Sequence, residues 1–135
     1  MGTWGEKTFE NDATMDWVYE LEEARDTSLI ARTLGGVSGS SEVYLDASDC
    51  AMALAAAEVV AAGNGRPGPD LPDEVRSWVG EHRIETDGEP SGLAVQAVAR
   101  VKNGPGSELK DLWDESGDTS GWYGAVDDLR ARLDP

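Results

Sequence analysis

The chain has 135 residues, of which 27 are acidic and 11 are basic, so its formal net charge is −16. This length fits one domain, residues 1–135, with enough chain to bury a modest core. The charge argues against direct nucleic-acid binding, because that mode needs clustered Lys and Arg, and it disfavours anionic membrane surfaces for the same reason. The single cysteine, Cys50, excludes a disulfide within the chain, and one Cys with one His cannot by themselves hold a structural zinc ion.

Residues 51–62 form the longest nearly unbroken apolar run, which is mostly alanine and contains Glu58. A membrane-spanning helix needs about 20 apolar residues, so this run predicts an ordinary helix and no membrane association. The first residues lack the basic region and apolar stretch of a secretory signal. We therefore expect a cytoplasmic protein.

In chain order, the first helix is predicted to begin at Asn11 or Asp12. Either side chain can accept a hydrogen bond from the free N–H groups of the first turn. Trp17, Leu21 and Ala24 recur at helical spacing and form the apolar stripe of this helix.

A short second helix is predicted over residues 28–34, with Leu29, Ile30 and Leu34 towards the core and Gly35 ending it. The third helix is predicted to begin near Asp46 or Ser48. It ends at Gly63, which we expect to be a left-handed C-cap. Because its alanine-rich face lets other helices approach closely, we place this helix at the centre of a bundle.

The second half of the chain predicts four more helices. The first of them begins at Asp73, after the proline-rich segment 66–72. The second is capped by Ser91 and ends before Gly104. The third is capped by Ser107 and ends at Gly117. Their predicted core positions are Val75, Trp78, Val79, Leu93, Ala97, Val98, Val101, Leu109, Leu112 and Trp113.

The last helix has the cleanest apolar stripe, formed by Trp122, Val126, Leu129 and Leu133. Its predicted solvent face pairs Asp127 and Asp128 with Arg130 and Arg132. Only residues 42–45 resemble a strand, and they are too few to form a sheet. The sequence therefore predicts an all-α bundle of six or seven short helices, preceded by an extended segment that carries Trp4 and Phe9.

The N-terminal block is the least generic part of the chain. Trp4 and Phe9 would expose a sizeable apolar patch unless they covered one end of the bundle. Gly2 and Gly5 allow tight turns around Trp4. We favour a structural role for this block, with Asn11 or Asp12 as the helix cap.

A metal site is the alternative interpretation of the same residues. Asp12 and Asp16 share a helix face at i and i+4, and with Glu10 or Asn11 they could offer oxygen ligands to Mg²⁺ or Ca²⁺. Capping accounts for these residues without a metal, and their spacing differs from that of a calcium-binding loop. Asp12 and Asp16 are therefore weak metal candidates, and no cofactor is predicted.

Two further residues could carry chemistry. His82 lies at a predicted helix end, where a histidine commonly interacts with the last carbonyls. Cys50 lies near the start of the third helix, where the pKa of a thiol can fall. Neither has a recognisable nucleophile or base partner in the sequence, so we expect no catalytic residue and lean against an enzyme.

Several segments resemble one known family over essentially the whole chain. They are residues 2–5 (GTWG), 9–12 (FEND), Asp16 with Trp17, Leu21 with Glu22, 55–62 (AAAEVVAA), 65–72 (GRPGPDLP), 107–109 (SEL), 112–113 (LW) and 129–133 (LRARL). This pattern resembles the bacterial family catalogued as domain of unknown function 4259. Glu6 and Thr8 depart from it, within the loop before the first helix. The resemblance implies a compact bacterial domain that usually stands alone, and it implies no activity, cofactor or catalytic residue.

The strong negative net charge, together with the absence of a recognisable catalytic pair in the sequence, favours a non-enzymatic module. Such a module would bind a basic protein, as an immunity protein or an inhibitor does. One alternative is a DNA mimic, whose carboxylates occupy a DNA-binding protein and must therefore lie in rows on one face. The other alternative is a metal-dependent enzyme that uses the N-terminal carboxylates.

Overall fold

The computed structural model describes residues 12–25, 27–38, 45–68, 71–82, 89–104, 106–116 and 120–133. Within these ranges the chain forms seven α-helices and no strand, which confirms the predicted all-α bundle. The helices are α1 (Asp12–Glu23), α2 (Ser28–Ser38), α3 (Ala47–Gly63), α4 (Asp73–Glu81), α5 (Glu89–Asn103), α6 (Glu108–Ser116) and α7 (Ser120–Leu133). Gly2, Trp4, Gly5, Phe9 and Asn11, for which the sequence predicts a structural role, lie outside the described residues.

The central helix of the bundle is α3, as its alanine content predicts. It contacts each of the other six helices. Residues 53–61 are all buried, so the helix is covered on every side. Small alanine side chains let the surrounding helices approach it closely, which is the geometry expected of a helix that is apolar all round.

Both ends of α3 are capped. At its start, the Asp46 side chain accepts a hydrogen bond from the Asp49 backbone N–H at 2.8 Å. At its end, the left-handed residue is Gly65, with φ of 82°, and the predicted left-handed cap at Gly63 is wrong. The N–H groups of Gly65 and Arg66 donate to carbonyls of the last turn at 3.0 and 2.9 Å. This pattern places the left-handed glycine two residues later than the sequence predicts.

Helix α2 corrects a second prediction, because it does not end at Gly35. It continues through Gly35 and Gly36 to Ser38. Val37 is buried at 3% exposure, and Leu34, one turn earlier, is buried at 0%. Burial of Val37 holds this last turn in place and outweighs the low helix propensity of the two glycines.

Helices α5 and α6 begin differently from one another. Ser91 does not cap α5, because that helix begins at Glu89. A glutamate and a proline are both well tolerated in the first turn, so the helix extends back past Ser91. Ser107 does cap α6: its Oγ accepts a hydrogen bond from the Lys110 N–H at 3.3 Å.

Leu45 links the start of α3 to the start of α6. Leu45 and Ser107 form an isolated parallel bridge, in which the Glu108 N–H donates to the Leu45 carbonyl at 3.0 Å. The Glu108 side chain in turn accepts a hydrogen bond from the Ala47 N–H at 2.7 Å. The strand-like signal at residues 42–45 therefore contributes one bridge residue among those described.

The tryptophans fill the core largely as predicted. Trp17, Trp78 and Trp122 are buried, and Trp113 is partly buried and stacks on Trp122 with ring centroids 6.5 Å apart. Leu112 was predicted to lie inside and is 38% exposed. It lies about 60° around the helix axis from buried Leu109, on the side away from Trp113, so it faces out of the bundle.

Helix α7 buries its predicted stripe, since Trp122, Val126, Leu129 and Leu133 are all at most 3% exposed. Asp127 and Asp128 are exposed as predicted, and the predicted pairing is correct for Asp128 with Arg132, which lie 2.8 Å apart. The prediction that Arg132 faces solvent is wrong, because its side chain is only 15% exposed. Arg132 turns towards α3 and pairs with the buried Glu58, because a carboxylate in the core needs a charged partner.

Candidate functional site

Helix α1 has one buried face and one exposed face. Its buried face consists of Thr14, Trp17, Val18 and Leu21, each at most 2% exposed. The indole Nε1–H of Trp17 donates to Thr33 Oγ1 on α2 at 2.9 Å, which fixes the rotation of α1 about its axis. The opposite side of the helix is therefore held towards solvent.

The exposed side carries three carboxylates and an aromatic ring. Asp16, Glu20 and Glu23 are exposed and lie at i, i+4 and i+7, so they form one row along the helix. Tyr19 lies in the same row, three residues after Asp16 and four before Glu23, and it is 61% exposed. We name these four residues the acidic α1 face. It extends about 10 Å along the helix axis.

The carboxylates of the acidic α1 face have no cationic partner within the described part of the chain, and α1 itself contains no Lys or Arg. Four acids elsewhere have cationic partners, in the ion pairs of Lys110 with Asp114, of Lys102 with Asp127, and of Arg132 with both Asp128 and Glu58. The acidic α1 face is thus a region of uncompensated negative charge around an exposed ring.

Acidic side chains are unevenly distributed over the bundle. Helices α2 and α5, which pack against each other and against α3, have no acidic side chain among those described. Among the residues that the structure describes, the exposed carboxylates belong to α1, α4, α6, α7 and the start of α3. The row on α1 is the kind of arrangement that a DNA mimic requires, and the DNA-mimic hypothesis stays a prediction.

The metal hypothesis concerns Asp12 and Asp16. Asp12 is the first residue of α1 and its side chain is outside the described part, while Asp16 is exposed one turn later. Among the described residues, no group of three or more His, Cys, Asp or Glu side chains is arranged to hold a metal ion. The metal-dependent enzyme therefore stays an untested alternative.

His82 caps the end of α4. Its backbone N–H and its ring Nδ1 lie 2.9 and 3.0 Å from the Trp78 carbonyl oxygen. Its ring stacks on the Trp78 ring at a centroid distance of 4.3 Å. The Trp78 indole in turn donates to the Ala24 carbonyl at 3.1 Å, which ties α4 to the end of α1. These contacts give His82 the helix-end role that its position predicts.

Cys50 is fully buried in the first turn of α3. Its Sγ lies 3.6 Å from Ser107 Oγ and 3.9 Å from the Leu45 carbonyl oxygen. Burial raises the pKa of the Cys50 thiol above its ordinary value of 9.0, although the hydrogen bond with Ser107 acts in the opposite direction. A raised pKa disfavours the thiolate, which is the reactive form.

A second polar cluster joins α6 to α7. Tyr123 Oη donates to Asp114 Oδ1 at 2.9 Å, and Lys110 Nζ donates to Asp114 Oδ2 at 2.7 Å. The Tyr123 ring meets the Trp122 ring edge to face at 4.8 Å. Since Asp114 already has two partners, this cluster serves mainly to hold the two helices together.

Of the acidic α1 face, only Asp16 is predicted from the sequence as a site residue, as a weak metal candidate. The combination of Asp16, Glu20 and Glu23 with Tyr19 is not predicted. The i, i+3 and i+7 spacing of Asp16, Tyr19 and Glu23 was the signal that could have found the surface. The exposure of the Tyr19 ring, however, is visible only in the three-dimensional structure.

None of the described helices is long and apolar enough to span a bilayer.

The comparisons with known proteins give one match. A family model described as "Domain of unknown function (DUF4259)" matches residues 2–125. No curated protein matches the chain, and no solved structure matches it.

Proposed function

The chain belongs to the DUF4259 family, and we propose that it is a non-enzymatic, cytoplasmic domain whose acidic α1 face binds a basic protein. The observation that carries this proposal is the exposed ring of Tyr19 within a row of carboxylates that have no cationic partner in the described part of the chain. An immunity protein or an inhibitor that covers a basic toxin or enzyme would work in this way.

Charge supports the proposal through the rate of association. A protein with a net charge of −16 attracts positively charged surfaces over a distance of about 8–10 Å at ordinary ionic strength. The row of Asp16, Glu20 and Glu23 gives that attraction a direction. Association should therefore be fast at low salt and should slow strongly as salt is added.

Tyr19 supports the proposal through specificity. A tyrosine ring gives an interface a large, rigid contact area, and tyrosine is one of the residues most enriched where binding energy concentrates. An arginine guanidinium can stack on such a ring while its N–H groups reach the neighbouring carboxylates. We propose that the partner presents arginine to this face in preference to lysine.

The experiment uses two synthetic peptides of equal length and equal positive charge, one arginine-rich and one lysine-rich. Their dissociation constants for the full chain are measured by isothermal titration calorimetry at low and at physiological salt. We expect the arginine peptide to bind about 2–5-fold more tightly, which corresponds to about 0.5–1 kcal/mol for an exposed cation–π contact. Tyr19→Leu should remove this preference and leave the lysine peptide nearly unaffected.

Two charge-matched triple variants locate the binding surface. Asp16→Asn with Glu20→Gln and Glu23→Gln should weaken both peptides about 10-fold, given about 0.5 kcal/mol for each exposed ion pair. The control removes three exposed carboxylates elsewhere: Glu74→Gln, Glu81→Gln and Glu115→Gln. Both variants have a net charge of −16 + 3 = −13. Equal weakening by the two would show that binding depends on net charge alone and would overturn the proposal.

The DNA-mimic alternative predicts a further result. If the acidic α1 face imitates a phosphate row, its protein partner must bind DNA, and duplex DNA must compete with this chain for that partner. Once a basic partner is captured at low salt, a competition titration with duplex DNA separates a DNA mimic from an inhibitor that binds elsewhere on the partner.

A further inference from the structure

We draw no further inference here: the strongest candidate, the outer face of α2 where Ala31, Gly35 and Gly36 form a surface of small residues, carries none because nothing in the described part of the chain shows what covers it.

Discussion

Arg132 on α7 and Glu58 on α3 form a bidentate ion pair, although they lie 74 positions apart in the sequence. Arg132 Nη1 and Nη2 lie 2.7 and 3.0 Å from Glu58 Oε1 and Oε2, respectively. Glu58 is the only buried charged residue among those described. Arg132 also donates from Nε to Asp128 at 2.8 Å and from Nη1 to the Arg66 carbonyl at 3.3 Å. One side chain therefore connects the central helix, the last helix and the segment that leaves α3.

Breaking this pair should be costly, because it leaves an uncompensated carboxylate in the core. We expect Arg132→Met to lower the free energy of unfolding by about 3 kcal/mol, the lower end of the range for buried pairs, since the Arg132 side chain is still 15% exposed. Urea unfolding followed by tryptophan fluorescence measures the loss. Arg32→Met, on the exposed face of α2, is the control and should change stability by less than about 0.5 kcal/mol.

The double variant Glu58→Met with Arg132→Met tests the cause. If the loss in Arg132→Met arises from the unpaired charge, removing both charges should restore most of the stability. A double variant as unstable as Arg132→Met would show instead that the side-chain packing of Arg132 matters more than its charge.

Because Gly68 has no side chain, it leaves room for the ion pair of Arg132 and Glu58. A Cβ at residue 68 would lie 2.9 Å from Glu58 Oε1 and 3.2 Å from Arg132 Nη1 and Nη2. Gly68→Ala must therefore displace the paired groups, and we expect it to destabilise the protein by about 1–3 kcal/mol, as overpacking usually does. Thermal unfolding of the variant measures the effect. An unchanged melting temperature would mean that segment 66–68 shifts away from the pair without penalty.

Gly36→Ala is the matched control for Gly68→Ala, and we expect it to change the stability in the opposite direction. A Cβ at residue 36 would meet nothing within 4 Å, and the residue lies inside α2. Gly36→Ala should stabilise the protein by about 0.5–1 kcal/mol, because alanine loses less backbone freedom in a helix. Destabilisation here would indicate that α2 does not extend past Gly35 in solution.

The contrast between α7 and α2 shows what the sequence alone could predict. The stripe of Trp122, Val126, Leu129 and Leu133 repeats at helical spacing, so it is predictable from neighbouring positions. The end of α2 is different, because Gly35 is a local stop signal that burial of the Val37 side chain against the core overrides. Local signals predict where a helix can end, whereas packing decides where it does end.

The candidate site shows the same division. The row of Asp16, Glu20 and Glu23 follows from helical spacing and could be predicted. That these carboxylates have no cationic partner among the described residues, whereas Glu58 pairs with Arg132 across 74 positions, depends on contacts between residues that are far apart in the chain. Such pairing requires the three-dimensional structure.

Cys50 should be inert towards thiol reagents in the folded protein. Its side chain is fully buried, and burial raises the pKa of its thiol, so both access and thiolate formation are disfavoured. We expect a chromogenic disulfide reagent to label no thiol under native conditions and one thiol per chain after denaturation in urea. Labelling of the native protein as fast as that of the denatured protein would show that the α3–α6 contact over Cys50 opens readily.

The hydrogen bond between Asp114 and Tyr123 shifts the pKa values of both groups, in opposite directions. Hydrogen bonds from Lys110 and then from Tyr123 lower the pKa of Asp114 below its ordinary value of 3.8. This interaction therefore stabilises the fold above that value, and the stabilisation is lost as the pH falls through the lowered pKa. Burial, followed by the hydrogen bond to Asp114, raises the pKa of Tyr123 above 10.0. Its contribution is present below pH 10.0 and is lost as the pH rises through the raised pKa.

The phenolate absorbance of Tyr123 checks this linkage directly. The chain has three tyrosines, so the difference between the wild-type titration and that of Tyr123→Phe isolates the Tyr123 curve. Asp114→Asn removes the neighbouring negative charge, and we expect it to lower the pKa of Tyr123 towards its ordinary value while burial keeps it somewhat raised. Glu115→Gln removes an exposed charge from the adjacent position and should leave the curve in place. If both substitutions shift the curve equally, Tyr123 responds to the general negative charge of the surface and not to its hydrogen bond with Asp114.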